Sequence, residues 1–290
     1  MEQFERKYAI ALGTFDGIHI AHQKVLKKVL EQDEYLTAAV TFSLPPRCCL
    51  ENKDKARLLM TPSLKHKVLS RMGFDEVLFL DFSAIKDLSA DEFLSLLFEE
   101  FPVGLVSVGF NYRFGKNAEG DVWKLKQFCT DNGAECFIAD EVKLYGETVC
   151  STKIRMFLEN GEPEKANEML GYNFYFTSEV IDGDKRGRDL GFPTINQIIP
   201  EALVMPRFGV YHTLVSFDGK VYNAVTNIGT RPTFAKDEIL SETHIMDFEG
   251  DLYGKSVTVE LKKFLREERK FNSVDELIKQ ISEDEKAVVG

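Results

Sequence analysis

The hydrophobic pattern of this chain changes character near residue 171, and that change restricts the folds open to it. Between residues 8 and 139, short continuous apolar runs alternate with helical periods. Tyr8–Leu12, Leu36–Phe42, Glu76–Leu80, residues 103–108 and Glu135–Ala139 read as strands. Residues 23–30, 64–72 and 122–129 carry apolar side chains three and four apart, as one helix face requires. Ser89-Ala90-Asp91-Glu92 is a capping-box pattern ahead of Phe93, Leu96 and Leu97. Strands apolar on both faces and joined by helices predict a parallel sheet covered on both sides.

Beyond residue 171 the runs at 174–181, 209–217, 220–228, 244–248 and 256–264 predict an antiparallel barrel or sandwich. Phe217-Asp218-Gly219-Lys220 supplies an Asp-Gly hairpin turn. A last helix opens at Ser273 and Glu276, a second capping-box pattern. Two short helices, at 152–159 and 163–170, end at Gly161 and Gly171. The expected domains are therefore 1–170 and 171–290, which suits a chain of 290 residues.

Composition removes several function classes. The net charge of −11 makes a general nucleic-acid or anionic-membrane binder a poor fit, while a local cationic pocket for phosphates stays open. No apolar run approaches the roughly 18 residues of a membrane span. The opening Met1-Glu2-Gln3-Phe4-Glu5-Arg6-Lys7 is too acidic and polar for a signal peptide. Cys48, Cys49, Cys129, Cys136 and Cys150 are odd in number and form no C-x-x-C pair. Reduced thiols in a cytoplasmic protein are expected. An oligomer is compatible with the sequence but not implied by it.

Three stretches of the first half can carry chemistry. Gly13-Thr14-Phe15-Asp16-Gly17-Ile18-His19-Ile20-Ala21-His22 joins the first strand to the first helix. Its glycines let backbone approach a ligand, and a helix N-terminus favours phosphate. His19 and His22 are three apart, so on a helical turn they point the same way and can meet charge developing on one phosphate. They can also simply cap the helix, and a zinc site would lack a sensibly spaced third ligand. Position at the end of the first parallel strand favours the phosphate reading. Ser151-Thr152-Lys153-Ile154-Arg155 is a second phosphate cradle or an N-capped helix with a basic face. Gly109-Phe110-Asn111-Tyr112-Arg113-Phe114-Gly115-Lys116 can stack a base and hold a phosphate, or be a packed loop.

In the second half, residues 183–196 combine three glycines with Lys185, Arg186 and Arg188, ending in Pro193-Thr194-Ile195-Asn196. Such a loop can wrap a triphosphate. It can also be a charged glycine-rich turn. Thr194 and Asn196 fall on one side of an extended chain, and their hard oxygens suit magnesium (Mg2+) shared with phosphates. Asn227-Ile228-Gly229-Thr230-Arg231-Pro232-Thr233-Phe234 and Glu242-Thr243-His244-Ile245-Met246-Asp247-Phe248 follow.

The order G-x-F-D-G-x-H-x-x-H, G-x-N-x-R-F-G-K and S-T-x-I-R resembles the adenylyltransferase module of bacterial bifunctional riboflavin kinase/FAD synthetases. The order G-R-x-L-G-F-P-T-x-N, N-I-G-T-R-P-T-F and E-x-H-x-x-D-F is similar to the kinase module of the same family. The resemblance spans roughly residues 8–285. It implies a Rossmann-like nucleotidyltransferase domain, then a six-stranded antiparallel riboflavin-kinase-type β-barrel with a C-terminal helix. It implies ATP-dependent phosphorylation of riboflavin to FMN in the second half and adenylyl transfer to FMN, giving FAD, in the first.

By the same resemblance His19 and His22 would stabilise the α-phosphate. Gly13, Phe15, Asp16 and Gly17 would shape the ATP turn, Asn111 would contact substrate, and Ser151, Thr152 and Arg155 would hold phosphates. Gly183, Lys185, Arg188, Gly191 and Pro193 would form the second phosphate loop, and Thr194 and Asn196 would bind magnesium and ATP. Glu242 would be the base for the riboflavin 5′-hydroxyl. Phe264, Arg266 and the closing helix would cover the flavin, although helix packing explains that stretch equally well.

Some positions depart from the family pattern. Ala21 stands where a glycine is usual, Leu44-Pro45-Pro46 replaces Pro-His-Pro, and Cys150 replaces a serine. In the second half Ile195, Ser178 and Asp182 replace alanine, glycine and histidine. Two other readings therefore remain: a riboflavin kinase with a slow or inactive first half, and a flavin- or nucleotide-binding regulator without turnover. A nucleotidyltransferase for another acceptor is disfavoured by the kinase-like half.

Overall fold

The computed structural model describes residues 6–46, 57–183, 191–232 and 237–289. Lys185, Arg186 and Arg188, the Cys48-Cys49 pair, and Thr233 and Phe234 lie outside them. The chain divides into two compact units, Met1–Ser151 and Thr152–Gly290. The two short helices that the sequence reading kept with the first half thus fall, by packing, almost wholly in the second unit.

The first unit is a five-stranded parallel sheet of β1 (Tyr8–Leu12), β2 (Leu36–Phe42), β3 (Glu76–Leu80), β4 (Val103–Gly109) and β5 (Glu135–Ala139), in the order β3-β2-β1-β4-β5. Its helices are α1 (Ile20–Leu30), α2 (Pro62–Met72), the short α3 (Phe82–Ile85), α4 (Ala90–Glu100) and α5 (Val122–Asp131). Ile10, Leu12, Val40, Val106 and Val108 form one core with Phe93, Leu94 and Leu97 of α4 and Leu125 of α5. On the opposite face Ser107 Oγ donates to the Val25 carbonyl of α1 at 2.8 Å. Helices on both faces explain why these strands are apolar without alternation. The Ser89–Glu92 capping box forms in full at α4. The order places β1 between β2 and β4, so successive crossovers leave it in opposite directions. The Gly13–His22 and Gly109–Lys116 stretches both emerge at the carboxyl ends of the strands beside that switch point, the usual ligand position in such sheets.

A two-residue-stranded hairpin, β6 (Lys143–Leu144) with β7 (Glu147–Thr148), leads to α6 (Ser151–Asn160) and α7 (Pro163–Leu170). Asn167 of α7 donates to the Leu261 carbonyl and accepts from Phe174 N, both at 2.8 Å, fastening that helix to the second unit.

The second unit is a closed antiparallel barrel of six strands: β8 (Tyr175–Ile181), β9 (Thr194–Ile198), β10 (Gly209–Phe217), β11 (Lys220–Pro232), β12 (Asp237–Ile245) and β13 (Ser256–Arg266). They run in the order β10-β11-β12-β9-β8-β13, and β13 pairs with β10 to close the ring. The Asp-Gly hairpin is present. Phe217 pairs with Lys220, and Asp218 and Gly219 have φ of 47° and 75°, the left-handed pair of a type I′ turn. Inside the barrel the hydroxyls of Thr213, Thr226 and Thr243 form a chain, 2.7 and 2.9 Å apart. The closing helix α8 (Val274–Val289) begins at Ser273, whose Oγ accepts from Glu276 N. The reciprocal half of that box differs, since Glu276 receives Asn272 N rather than Ser273 N.

Two strands differ from the sequence pattern. The strand expected at 244–248 is the end of a longer one, because Asp247 takes φ 55° and turns the chain. Phe248 then packs edge-on against Phe217 and Tyr222 instead of continuing the ladder. Thr194–Ile198, read only as a ligand stretch, is strand β9 between β8 and β12.

Candidate active sites

At the end of β1 the chain makes a tight loop with Phe15, Gly17 and Ile18 at φ 45°, 80° and 40°. Phe15 and Ile18 are buried, and apolar burial holds two non-glycine residues in a region they rarely adopt. Gly13 is required by the same fold, since a Cβ there would stand 2.7 Å from the Phe15 ring. Asp16 turns inward, where Oδ1 accepts from Leu59 N at 3.0 Å, and its own carbonyl accepts from Ser151 Oγ at 2.9 Å. Two predicted site residues from distant parts of the sequence, Asp16 and Ser151, therefore meet.

His19 is the N-cap of α1, with Nδ1 accepting from His22 N at 3.2 Å. That bond leaves the ring proton on Nε2. The His19 and His22 rings stack, and Phe15 lies edge-on to His22 at 5.4 Å. The capping reading and the paired-imidazole reading are thus both realised in one geometry. His22 Nδ1 is closed off from solvent with no hydrogen-bond partner. Burial first, then His19 and Lys65, hold the His22 pKa well below the usual imidazole value, so the ring is neutral at pH 7.

The sequence pattern marks Lys65 only as part of a helix. It is buried, and Nζ donates to the carbonyls of Thr14 at 2.8 Å and Phe42 at 2.6 Å. It thereby ties the exits of β1 and β2 together. Burial lowers its pKa to about 8, opposed in part by Asp16. The sequence held a signal: Lys65 stands four and seven residues before Leu69 and Met72, on the apolar side of α2.

Asn111, just past β4, is exposed at the same end of the sheet. Tyr112 stacks on Phe114, which packs into the sheet core, so these two aromatics take the packed-loop option. Thr152 is exposed and Arg155 buried on α6. Pro45 is buried, Ala21 lies in the first turn of α1 and Cys150 is a half-buried free thiol.

In the barrel, register assembles the second group. Asn196 of β9 pairs with Glu242 of β12, which pairs with Asn227 of β11, so the three form one row. Thr226 and Thr243, the neighbours of Asn227 and Glu242, are buried inside the barrel, which puts the row on its outer face. A Cβ on Gly183 would stand 2.2 Å from Asn196 Nδ2, so glycine alone admits the amide there. Thr194 pairs with His244. The His244 ring bridges the Pro193 carbonyl at 2.9 Å and Glu285 of α8 at 3.1 Å, with Phe192 edge-on to it. Gly191 has φ 84°, at the near end of the glycine-rich loop.

The two residues expected near a flavin also carry packing contacts. Arg266 grips Asp284 of α8 through Nε at 3.0 Å and Nη2 at 2.8 Å. Phe264 lies edge-on to Tyr211 and occupies the space a Cβ on Gly209 would need. Both serve the packing of the closing helix and the barrel end.

A parallel sheet with stacked histidines at its switch point, followed by a barrel displaying Thr194, Asn196 and Glu242, defines a transferase that works on nucleotide phosphates. The FAD synthetase family model matches residues 1–153 and the Riboflavin kinase model residues 170–289. A bifunctional riboflavin kinase/FMN adenylyltransferase of Listeria monocytogenes is 35% identical, over 95% of this chain and 90% of its own. Its Bacillus subtilis counterpart is 32% identical, over 100% and 94%. A solved structure described as a macrolide-efflux protein from Streptococcus pneumoniae superposes with a TM-score of 0.90 at 30% identity, covering 98% of this chain and 94% of that one. Among the described residues of the present chain no helix is long and apolar enough to cross a membrane. The chain belongs to the bifunctional riboflavin kinase/FMN adenylyltransferase family.

Proposed function

We propose that this chain makes FAD in two ATP-dependent steps at separate centres, riboflavin to FMN on the barrel and FMN to FAD at the parallel sheet. The observation that carries the reading is the pairing, in one chain, of the stacked His19–His22 couple with the Asn196–Glu242 row. We place the functional division at 170/171, and the protein in the cytoplasm, where ATP is available.

At the barrel, Thr194 and Asn196 offer neutral oxygens, a donor set that fits magnesium taking its remaining ligands from ATP phosphates and water. When bound, magnesium supplies charge neutralisation for the transferring phosphoryl group. Gly183, Lys185, Arg188, Gly191 and Pro193 wrap the nucleotide. Glu242 orients the riboflavin 5′-hydroxyl and accepts its proton as the oxygen bonds to the γ-phosphorus and ADP departs. A carboxylate is a far weaker base than an alkoxide, so orientation dominates and the proton moves late.

At the sheet, the FMN phosphate oxygen attacks the ATP α-phosphorus and pyrophosphate leaves. His19, with its proton on Nε2, and neutral His22 donate to charge developing on the α-phosphate. Gly13, Phe15 and Gly17 shape the turn, Asp16 and Ser151 brace it, and Asn111, Thr152 and Arg155 complete the contacts to substrate. No covalent intermediate is required, since positioning and charge stabilisation suffice.

The test separates flavins over time after incubating the protein with ATP and magnesium, once with riboflavin and once with FMN. FAD from both substrates is expected. FMN from riboflavin without FAD from either would leave a kinase beside an idle first unit, and would make Pro45 and Ala21 the positions to revert. No conversion of either flavin would leave a binding protein.

A further inference from the structure

The Asn227-Ile228-Gly229 stretch, conspicuous in the sequence, has so far no role. Asn227 stands directly across from Glu242 in the β11–β12 ladder. Opposed residues in an antiparallel pair project from one face with Cβ atoms about 5 Å apart, so the amide lies beside the carboxylate. Asn227 Nδ2 donates to Glu268 Oε1 at 2.9 Å. A carboxylate oxygen of this kind only accepts, and the contact therefore decides which end of the amide is nitrogen. The other end, Oδ1, is closed off from solvent and has no hydrogen-bond partner. Glu268 reaches this position because residue 229 is glycine: a Cβ there would stand 2.3 Å from Glu268 Oε1.

A covered acceptor without a donor is costly to leave unmade, and a ligand that displaces its cover and brings an O–H or N–H would satisfy it. ATP phosphates bring no such donor. One metal ion shared with Asn196 is excluded by spacing. Asn227 and Asn196 lie on either side of Glu242, two strand spacings or about 10 Å apart, whereas magnesium holds its ligands at about 2 Å. The alcohol at Glu242 does bring donors, because riboflavin carries further hydroxyls along its ribityl chain next to the 5′ position.

We propose that Asn227 binds substrate in the kinase centre, its Oδ1 accepting a hydrogen bond from a secondary ribityl hydroxyl, with Glu268 as the positioning residue that aims it. The inference rests on reading Glu242 as the residue that meets the 5′-hydroxyl. It gives the centre a means of choosing a polyol side chain over a simple alcohol.

The experiment compares wild type, Asn227→Ala, Glu268→Ala and the double variant, using riboflavin and a flavin whose hydroxypentyl side chain keeps only the terminal hydroxyl. Asn227→Ala is expected to raise the KM for riboflavin about tenfold with the KM for ATP unchanged. Its kcat/KM for the hydroxypentyl flavin should equal that of wild type. Glu268→Ala should show part of the riboflavin loss and add nothing in the double variant. FAD formation from FMN reports that the chain is intact, and Asn227→Ser replaces the alanine variant if that one fails to fold. Equal losses on both flavins, an additive double variant or an unchanged riboflavin KM would overturn the proposal. Glu242→Gln is measured alongside. If FMN formation survives it, the reading of the whole centre falls; if it stops FMN formation while Asn227→Ala changes nothing, only Asn227 loses its role.

Discussion

The rings of His19 and His22 lie face to face, with centroids 3.5 Å apart and planes 15° from parallel. Stacking of this kind presents two imidazole edges in one direction, and it is tolerable because His22 carries no charge. His19→Ala or His22→Ala should lower FAD formation from FMN by about a hundredfold or more, the usual cost of losing one donor to a developing oxyanion. FMN formation from riboflavin should be untouched. Unchanged FAD output in either variant would remove the pair from the reaction.

Lys65 predicts an alkaline signature. Its folded pKa of about 8 lies below the ordinary lysine value of 10.5, so the unfolded chain binds the proton more tightly. The cost of burying the ammonium is fully present below about pH 8 and is relieved as pH rises towards 10.5. Denaturant unfolding of wild type against Lys65→Met should show the wild type gaining stability over that window, by about 3 kcal/mol at most. A constant difference between the two proteins across that range would contradict a buried, charged Lys65 at neutral pH.

Gly183→Ala forces a methyl to within 2.2 Å of Asn196 Nδ2. The amide must move, and with it one of the proposed magnesium oxygens. Steady-state kinetics should show kcat/KM for magnesium-ATP in FMN formation reduced about tenfold or more, a loss of about 1.4 kcal/mol. FAD formation from supplied FMN should persist. Wild-type kinetics in the variant would show that Asn196 needs no fixed place.

Arg266 and Asp284 form a bidentate pair between β13 and α8, and Gln280 also donates to Asp284 at 2.8 Å. Removing one partner of a buried pair is expensive, and Asp284→Ala should cost about 3 kcal/mol in urea unfolding. In the variant that remains folded, the KM for riboflavin should change less than about twofold. A large rise in that KM with stability intact would show that the pair also shapes the flavin site.

Much of the architecture was legible before any coordinates. All five parallel strands, the Ser89 capping box and the Asp218-Gly219 turn depend on residues close in sequence, and each appears where its pattern stands. The His19–His22 couple was legible for the same reason, since a three-residue spacing on a helix determines direction. Strand β9 was not, because Thr194–Ile198 mixes ligand-type residues with apolar ones and has no clear alternation. Nor was the early end of β12, which turns on the left-handed backbone of Asp247. Arg266 was ambiguous in sequence because one guanidinium serves a flavin or a helix carboxylate equally well.

The sequence by itself determined the two-part plan, its order, and the family-specific motifs, because period and spacing are properties of neighbouring residues. Only the tertiary structure decided that Asp16 meets Ser151, that Lys65 lies buried beneath two strand exits, and that Asn227, Glu242 and Asn196 share one row. Those relationships join residues far apart in the chain. They arise from strand order and register, which hydrogen bonding across the whole sheet and barrel sets and no local window contains.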